Sequence, residues 1–260
     1  MHETLDDIYD RFHKPEFMRM DPIEHVRKFS DPRDIEIVGL LASSLAYGQV
    51  EIIRSSIERI LWAIGGNIGD FVRATSYGDK REMLKNFKHR FNDGNDIALL
   101  LECVKRALRE KGSVQALFIE GMRKDDQNIK NALNEFVKKM NSWAVGTGKV
   151  TGRSFRHLLP LPSAGSSCKR LNMYLRWMVR NNDGIDFGIW REVSPAMLVI
   201  PVDTHVASIA RRLKMTRRKS ADWRMAEEIT EALKKISPFD PVKYDFSLCR
   251  AGMVLFRNRV

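Results

Sequence analysis

A lysine and an aspartate define the chemistry this sequence could perform. Lys169 opens the segment KRLNMYLRWMVR, and Asp203, 34 residues further on, follows the apolar run MLVIPV and precedes THVASIARRL. An unperturbed lysine amine is neutral about once in two to three thousand molecules at pH 7, so a nucleophilic lysine needs a lowered pKa. Partial burial, a neighbouring cation such as Arg170 and a helix N-terminus all push that way. A carboxylate delivered by an apolar run stands at a defined point at the edge of a core, where it can steady a developing positive charge or move a proton. Each residue also has an ordinary explanation. A lysine at a helix start is commonly a surface cation, and aspartate is among the best N-caps, its oxygen accepting from the backbone N–H of His205 or Val206. His205 could itself meet a phosphate or only the local helix.

The elements that must position these groups are helical. A strong helix is expected from about 167 to 181, with Leu171, Tyr174, Leu175 and Met178 as its buried stripe and Lys169, Met173, Arg176 and Arg180 on the opposite face. Before it come the short helix SFRHLL and the turn PLPSAGS, so residues 154–181 read as helix, hairpin, helix. Ser163, Gly165, Ser166 and Ser167 can present backbone N–H groups to an anion at the start of the second helix. A turn of this composition is also a common structural connection. The run Met197 to Val202 reads as extended core backbone without a partner sheet because Pro201 interrupts it. Asp203 then begins a helix with Val206, Ile209, Ala210 and Leu213 inward, and two further helices cover about 221–236 and 241–251.

Upstream, an acidic helix spans about 3–14, and a helix opened by Asp-Pro buries Ile37, Leu40, Leu41 and Leu45. Tyr47-Gly48-Gln49 breaks it, and Val50, Ile53, Ile57, Ile60 and Leu61 resume helical spacing. More helices are expected at about 81–89, 95–110, 112–121 and 127–141, then a glycine-rich connection through AVGTGKVTG, and a short helix near 187–191. No strand pattern competes. Trp177, Trp190 and Trp223 are assigned to the core. The expected fold is all-α, a two-lobed helical bundle forming one domain over 1–260, with a cleft between the early helices and residues 154–252.

Composition narrows the class. Hydrophobic residues make up 43% and charged residues 30%, the balance of a globular protein that is neither disordered nor membrane-embedded. No apolar run reaches the roughly 18 to 20 residues that cross a bilayer, and the acidic start MHETLDDIYD is unlike a secretory signal, so a cytoplasmic protein without a membrane partner is expected. Cys103, Cys168 and Cys249 are too few for a four-cysteine cluster and too far apart in sequence for a structural zinc site, so neither a cofactor nor a metal centre is expected. The net charge is +11, and residues 149–219 hold fourteen Lys or Arg against four Asp or Glu. A field so concentrated suits a polyanion, though a solvated basic face or an anionic membrane patch would use the same residues.

Several strings carry a resemblance. IPVDTHVASIARRL resembles the segment bearing the catalytic aspartate in the helix-hairpin-helix, Gly/Pro-rich-loop, Asp superfamily of DNA glycosylases, which includes endonuclease III and the oxoguanine glycosylases. GSSCKRLNMYLRWMVR resembles its hairpin and lysine helix. Together with LLASSLAYGQ, GIDFGIW and DPVKYDFSLCRAG, these strings are similar to a bacterial family of unknown function near the archaeal-type oxoguanine enzymes, over most of the chain. The usual hairpin reads Leu-Pro-Gly-x-Gly-x-Lys. Here Leu-Pro-Ser-Ala-Gly-Ser-Ser-Cys-Lys sets the lysine two residues farther from its glycine.

The resemblance implies a mechanism. Damaged double-stranded DNA bends, the altered nucleotide leaves the stack, and Tyr47 and Gln49 are candidates for the wedge that fills the gap. Lys169 would attack the anomeric carbon and form a Schiff base, permitting strand cleavage, while Asp203 would stabilise positive charge on the sugar. Ser163, Gly165, Ser166, Ser167, Arg170, Arg176 and His205 would contact DNA, and Met173, Asp245 and Cys249 would line the base pocket. A monomeric DNA-repair N-glycosylase, with an oxidised purine as a substrate and an AP-lyase step, is one expectation. A non-catalytic helix-hairpin-helix protein binding DNA or RNA is the other, and only the enzyme needs Lys169 and Asp203 together.

Overall fold

The computed structural model describes residues 4–147 and 152–256, with the side chains of Met20, Leu255 and Phe256 outside that description. Glu3 at the expected start of the first helix, and part of the glycine-rich connection, therefore lie outside the described residues. The protein is all-α apart from one pair of two-residue strands among the described residues.

The chain opens with α1 (Leu5–Phe12), held at its start by a capping box between Thr4 and Asp7, and a 3-10 turn over Pro15–Met20. Then come α2 (Ile23–Val26), α3 (Pro32–Ser44), α4 (Val50–Ile64), α5 (Ile68–Ala74) and α6 (Tyr77–Met83). The strands β1 (Lys88–His89) and β2 (Asn92–Asp93) pair antiparallel. They lead into α7 (Gly94–Lys111), α8 (Val114–Ile119), α9 (Lys130–Val145) and α10 (Arg153–Leu158). The last stretch holds α11 (Lys169–Val179), α12 (Thr204–Arg212), α13 (Trp223–Lys234) and α14 (Asp245–Phe256).

These elements form two compact units. One is built from described residues of Met1–Arg19, Asp125–Ile129 and Pro162–Val260, the other from Met20–Lys124 and Lys130–Leu161. The helix, turn and helix expected over 154–181 occur in that order, with α10 in the second unit and the turn from Pro162 onward in the first. In the second unit α7 is the central helix, burying Ile97, Leu100, Leu101 and Val104 against α5, α6, α8 and α9. Buried acids on α3 serve its neighbours. Glu36 accepts from the backbone N–H groups of Val114 and Gln115 at the start of α8, and Asp34 accepts from Gly69 in α5. Such carboxylates satisfy N–H groups that the helices leave unpaired. In the first unit α1 and α12 both pack on α14, so the earliest helix closes over the last.

Three local expectations are corrected. The helix expected at 81–89 is instead the end of α6 followed by the β1–β2 turn. Leu84 and Phe87 are buried three residues apart, which imitates a helical stripe, but Phe87 N–H bonds the Leu84 carbonyl and Arg90 takes a left-handed φ of 54°. Residues 187–191 do not form a helix either. Gly188 is left-handed at φ 62°, and the N–H groups of Phe187 and Trp190 instead satisfy the carbonyls of Trp177 and Met178 at the end of α11. Leu213 is 43% exposed rather than part of the core face, because α12 ends one residue earlier. The three tryptophans Trp177, Trp190 and Trp223 are buried.

Gly94, the first residue of α7, sets how closely that helix meets the preceding segment. A Cβ there would lie 1.8 Å from the Leu84 carbonyl oxygen, a backbone atom that cannot rotate aside. Gly94→Ala is therefore expected to destabilise the protein by about 3 kcal/mol or more in urea unfolding, against the modest gain alanine gives in a helix interior. Unchanged stability would mean that this approach is not a constraint.

Candidate functional site

Lys169 is the first residue of α11, and the chain reaches it through a turn fixed at several points. Gly165 is left-handed at φ 83° and exposed, its N–H bonding the Pro162 carbonyl and its own carbonyl accepting from Trp223 N–H. Ser166 forms an isolated antiparallel bridge with Asp222, the N-cap of α13. The Ser166 hydroxyl accepts from Cys168 N–H, and Cys168 sits in the left-handed region at φ 49°. Asn172, one turn into α11, donates from its side chain to the Ser167 carbonyl. Ser163 and Gly165 are exposed, whereas Ser166, Ser167 and Lys169 are half-buried. The Lys169 side chain makes no hydrogen bond or close ion pair with any described residue. Burial pushes the Cys168 thiol up to about 12, so it stays protonated at neutral pH.

Asp203 arrives by a different route. Leu198 to Val202 are extended and buried, anchored by the Ile200 N–H donating to Thr230 on α13. Asp203 then caps α12, with Oδ1 accepting from His205 N–H at 2.9 Å and from Val206 N–H at 2.8 Å. Its other oxygen, Oδ2, accepts from the Cys249 thiol at 3.5 Å. Capping was the ordinary reading of this residue, and it holds. It also fixes the carboxylate's orientation, because each oxygen faces different partners.

Asp245, Cys249 and Gly252 share one face of α14, spaced near one and two turns apart. A Cβ on Gly252 would come within 2.7 Å of the His205 Cβ, so α12 and α14 meet with almost no space between them. His205 lies at that contact. Cys249 is raised to a thiol that does not ionise, first by burial and then by the Asp203 carboxylate, against the pull of Arg250 and Lys169. Asp245 is raised to about 6, first by burial, with Arg176 and Lys169 opposing and Asp203 adding to it. Lys169 and Asp203 thus both act on the same two groups, buried Asp245 and half-buried Cys249, which puts the amine and the carboxylate in one neighbourhood. Met173 is buried on α11.

Two of the cations expected on the DNA-facing side of α11 lie elsewhere. Arg176 is 2% exposed, with Nε on Asp186 at 3.2 Å and Nη1 on Asp245 at 2.5 Å. Arg170 is also buried, at 8%. From 170 to 180 the helix is enclosed on all sides, so the surface expected opposite the apolar stripe does not exist. Arg180, likewise enclosed, bonds Asp186, Asp183 and Asp240, and Asp183 also meets His13, the C-cap of α1. This group is barely legible in the sequence. Its only local signal is two arginines one turn apart, followed by Asp183 and Asp186.

Tyr47 and Gln49 belong to the other unit. Gln49 is exposed ahead of α4, and Tyr47 is half-buried, its hydroxyl bonding Asn92. Among the described residues, no group of three or more His, Cys, Asp or Glu could hold a metal ion, and no helix is long and apolar enough to cross a membrane.

Fold and site together define a helical protein in which a helix-initiating lysine and a helix-capping aspartate bear on a shared carboxyl and thiol of α14. The chain belongs to the family described as protein of unknown function (DUF2400), which matches residues 21–254. No curated protein and no solved structure matches it.

Asp245 carries a pH signature. Its folded pKa, near 6, exceeds its ordinary value of 3.8, so between these values the folded protein binds a proton that the unfolded chain has lost. Stability from this group is greatest below about pH 4 and declines as pH rises toward 6. Asparagine mimics the protonated form. The unfolding free energy of wild type relative to Asp245→Asn should fall between pH 4 and 6 and level off above; a difference independent of pH would refute the assignment.

Proposed function

We propose that this protein is a DNA-repair N-glycosylase of the helix-hairpin-helix type, releasing a damaged base from double-stranded DNA and cleaving the strand through a lysine Schiff base. An oxidised purine is the substrate class the reading favours. The observation that carries it is the joint action of Lys169 and Asp203 on Asp245 and Cys249. An amine with no hydrogen-bond partner among the described residues suits a nucleophile awaiting its substrate, and a carboxylate of fixed orientation suits charge stabilisation without reorganisation.

In this mechanism the Lys169 amine forms a bond to the sugar's anomeric carbon while the glycosidic C–N bond breaks, and the base departs with the electron pair and takes up a proton. The amine gives up its own protons as the sugar ring opens to the imine, and Asp203 is the group in this neighbourhood able to relay them. Loss of a proton from the adjacent sugar carbon then expels the 3′-phosphate. Ser163 and Gly165 supply the exposed part of the turn against which a backbone phosphate would rest, with half-buried Ser166 and Ser167 behind them. Arg176 is assigned no DNA contact, because it is held by carboxylates in the core.

Borohydride trapping on duplexes containing an oxidised purine tests the proposal. Wild type is expected to give a covalent adduct, Lys169→Ala none, and Asp203→Asn base release slower on the order of 100-fold. Equal DNA binding by all three proteins without any base release would instead assign a non-catalytic binding role.

A further inference from the structure

The second unit carries an arrangement that this chemistry leaves unused. Arg90 and Phe91 form the turn between β1 and β2. Phe91 is 54% exposed, while His89 and Asn92 on either side of the pair are fully buried. Its ring lies nearly parallel to Tyr47, at 10° with centroids 5.6 Å apart, and the ring of His157 meets both edge-on at 4.6 Å and 5.1 Å. The Arg90 guanidinium lies 5.3 Å from the Phe91 ring and 5.9 Å from that of Tyr47.

The support beneath is built and rigid. The Tyr47 hydroxyl bonds Asn92, and its carbonyl faces His89 Nε2 at 3.1 Å. The other His89 nitrogen meets the Ser56 hydroxyl at 2.8 Å. With a carbonyl on one side, Nε2 is the donor, and the Ser56 hydroxyl can pair with Nδ1 in either role. Asn92 donates in turn to Asp96 and to the Ser154 carbonyl. Arg90 keeps a left-handed backbone that a residue with a side chain rarely adopts, and Gly48 makes room for it. A Cβ on Gly48 would stand 3.0 Å from Arg90 Cδ, and its φ of 104° favours glycine on its own account.

We propose that Phe91, backed by Tyr47 and flanked by Arg90, is a stacking platform for an unpaired nucleobase whose adjoining phosphate meets Arg90. A single exposed ring among Arg90, Gly48 and Gln49 is too small and too polar a patch for an apolar protein partner. A flat ring beside a guanidinium matches a base joined to a phosphate, and stacking of this kind tolerates any base. The inference rests on the nucleic-acid part of the proposed function and is independent of the Lys169 chemistry. It also revises the earlier expectation for the break after α3: Tyr47 supports the platform, and Phe91 is the ring that is presented.

The test compares binding of the full chain to a single-stranded thymidine oligonucleotide and to an all-abasic strand of equal length, which carries the same phosphates without bases. Wild type should prefer the base-bearing strand on the order of tenfold. Phe91→Ala should lose that preference while binding the abasic strand as wild type does, and Phe91→Trp should keep it, with melting curves confirming the fold of both variants. Absence of a preference in wild type, absence of binding to either strand, or a preference that survives Phe91→Ala would each overturn the platform. Borohydride trapping run in parallel separates the two ideas. An adduct without a Phe91-dependent preference sinks the platform alone, and the preference without an adduct sinks the lysine chemistry alone.

Discussion

Two guanidinium groups inside the first unit govern how it is assembled. Arg176, in the last turn of α11, and Arg180, its C-cap, lie in a stretch enclosed from 170 to 180, and each must find carboxylates or lose several kcal/mol to desolvation. Asp183 and Asp186 come from the loop after α11, Asp240 from the connection before α14, and Asp245 from α14 itself. His13 ties α1 to the same group through Asp183. Segments distant in sequence are thereby set in register around one helix. Removing a single member would leave an uncompensated buried charge, which costs far more than the pair contributes over a well-packed apolar substitute.

The candidate chemistry depends on that arrangement indirectly. Lys169 stands at the start of the helix whose later turns are fixed by the arginines, and α14 carries both a carboxylate of the network and the thiol that meets Asp203. With four carboxylates around two guanidinium groups, negative charge is in excess, and burial holds the protons of both Asp186 and Asp245 more tightly than usual, the Asp203 carboxylate adding to the effect at Asp245. Under the proposed mechanism a substrate that alters the charge of Lys169 or Asp203 would therefore be felt in the core of the unit. Gly252 contributes by absence of a side chain, letting α12 approach α14 closely enough for the thiol to reach the carboxylate.

Much of the helical plan was legible because the cues were local. The break at Tyr47-Gly48-Gln49, the extended run into Asp203 and its cap each follow from turn chemistry, apolar continuity or a capping preference acting within a few residues. Errors arose where a distant contact decided. Leu84 and Phe87 have helical spacing, yet the turn after them is set by Asn92 bonding Asp96 and Ser154. Gly188 allows a left-handed step that lets Phe187 and Trp190 cap α11, and nothing nearby announces it. The burial of Arg176 and Arg180 was hidden for the same reason. Arginine at helical spacing opposite an apolar stripe reads as a solvated face unless the carboxylates that will enclose it are already known.

That burial changes the argument from charge. The excess over residues 149–219 was counted as one field, but Arg170, Arg176 and Arg180 are enclosed, and the latter two are neutralised by carboxylates in the core. Arg211, Arg212, Lys214, Arg217 and Lys219 are exposed, and they cluster at and beyond the C-terminal end of α12, whereas Asp203 caps its other end. Nine helical residues separate the two by about 13 Å. This exceeds the Debye length of about 8 Å at physiological salt, so these cations do little to the electrostatics at Asp203 itself. Their contribution under the proposed function is to hold phosphates some distance from the reacting sugar, strengthening attachment without altering the chemistry. Positioning then rests on the hairpin turn, and the reactivity of Lys169 on its immediate surroundings rather than on the overall charge of the segment.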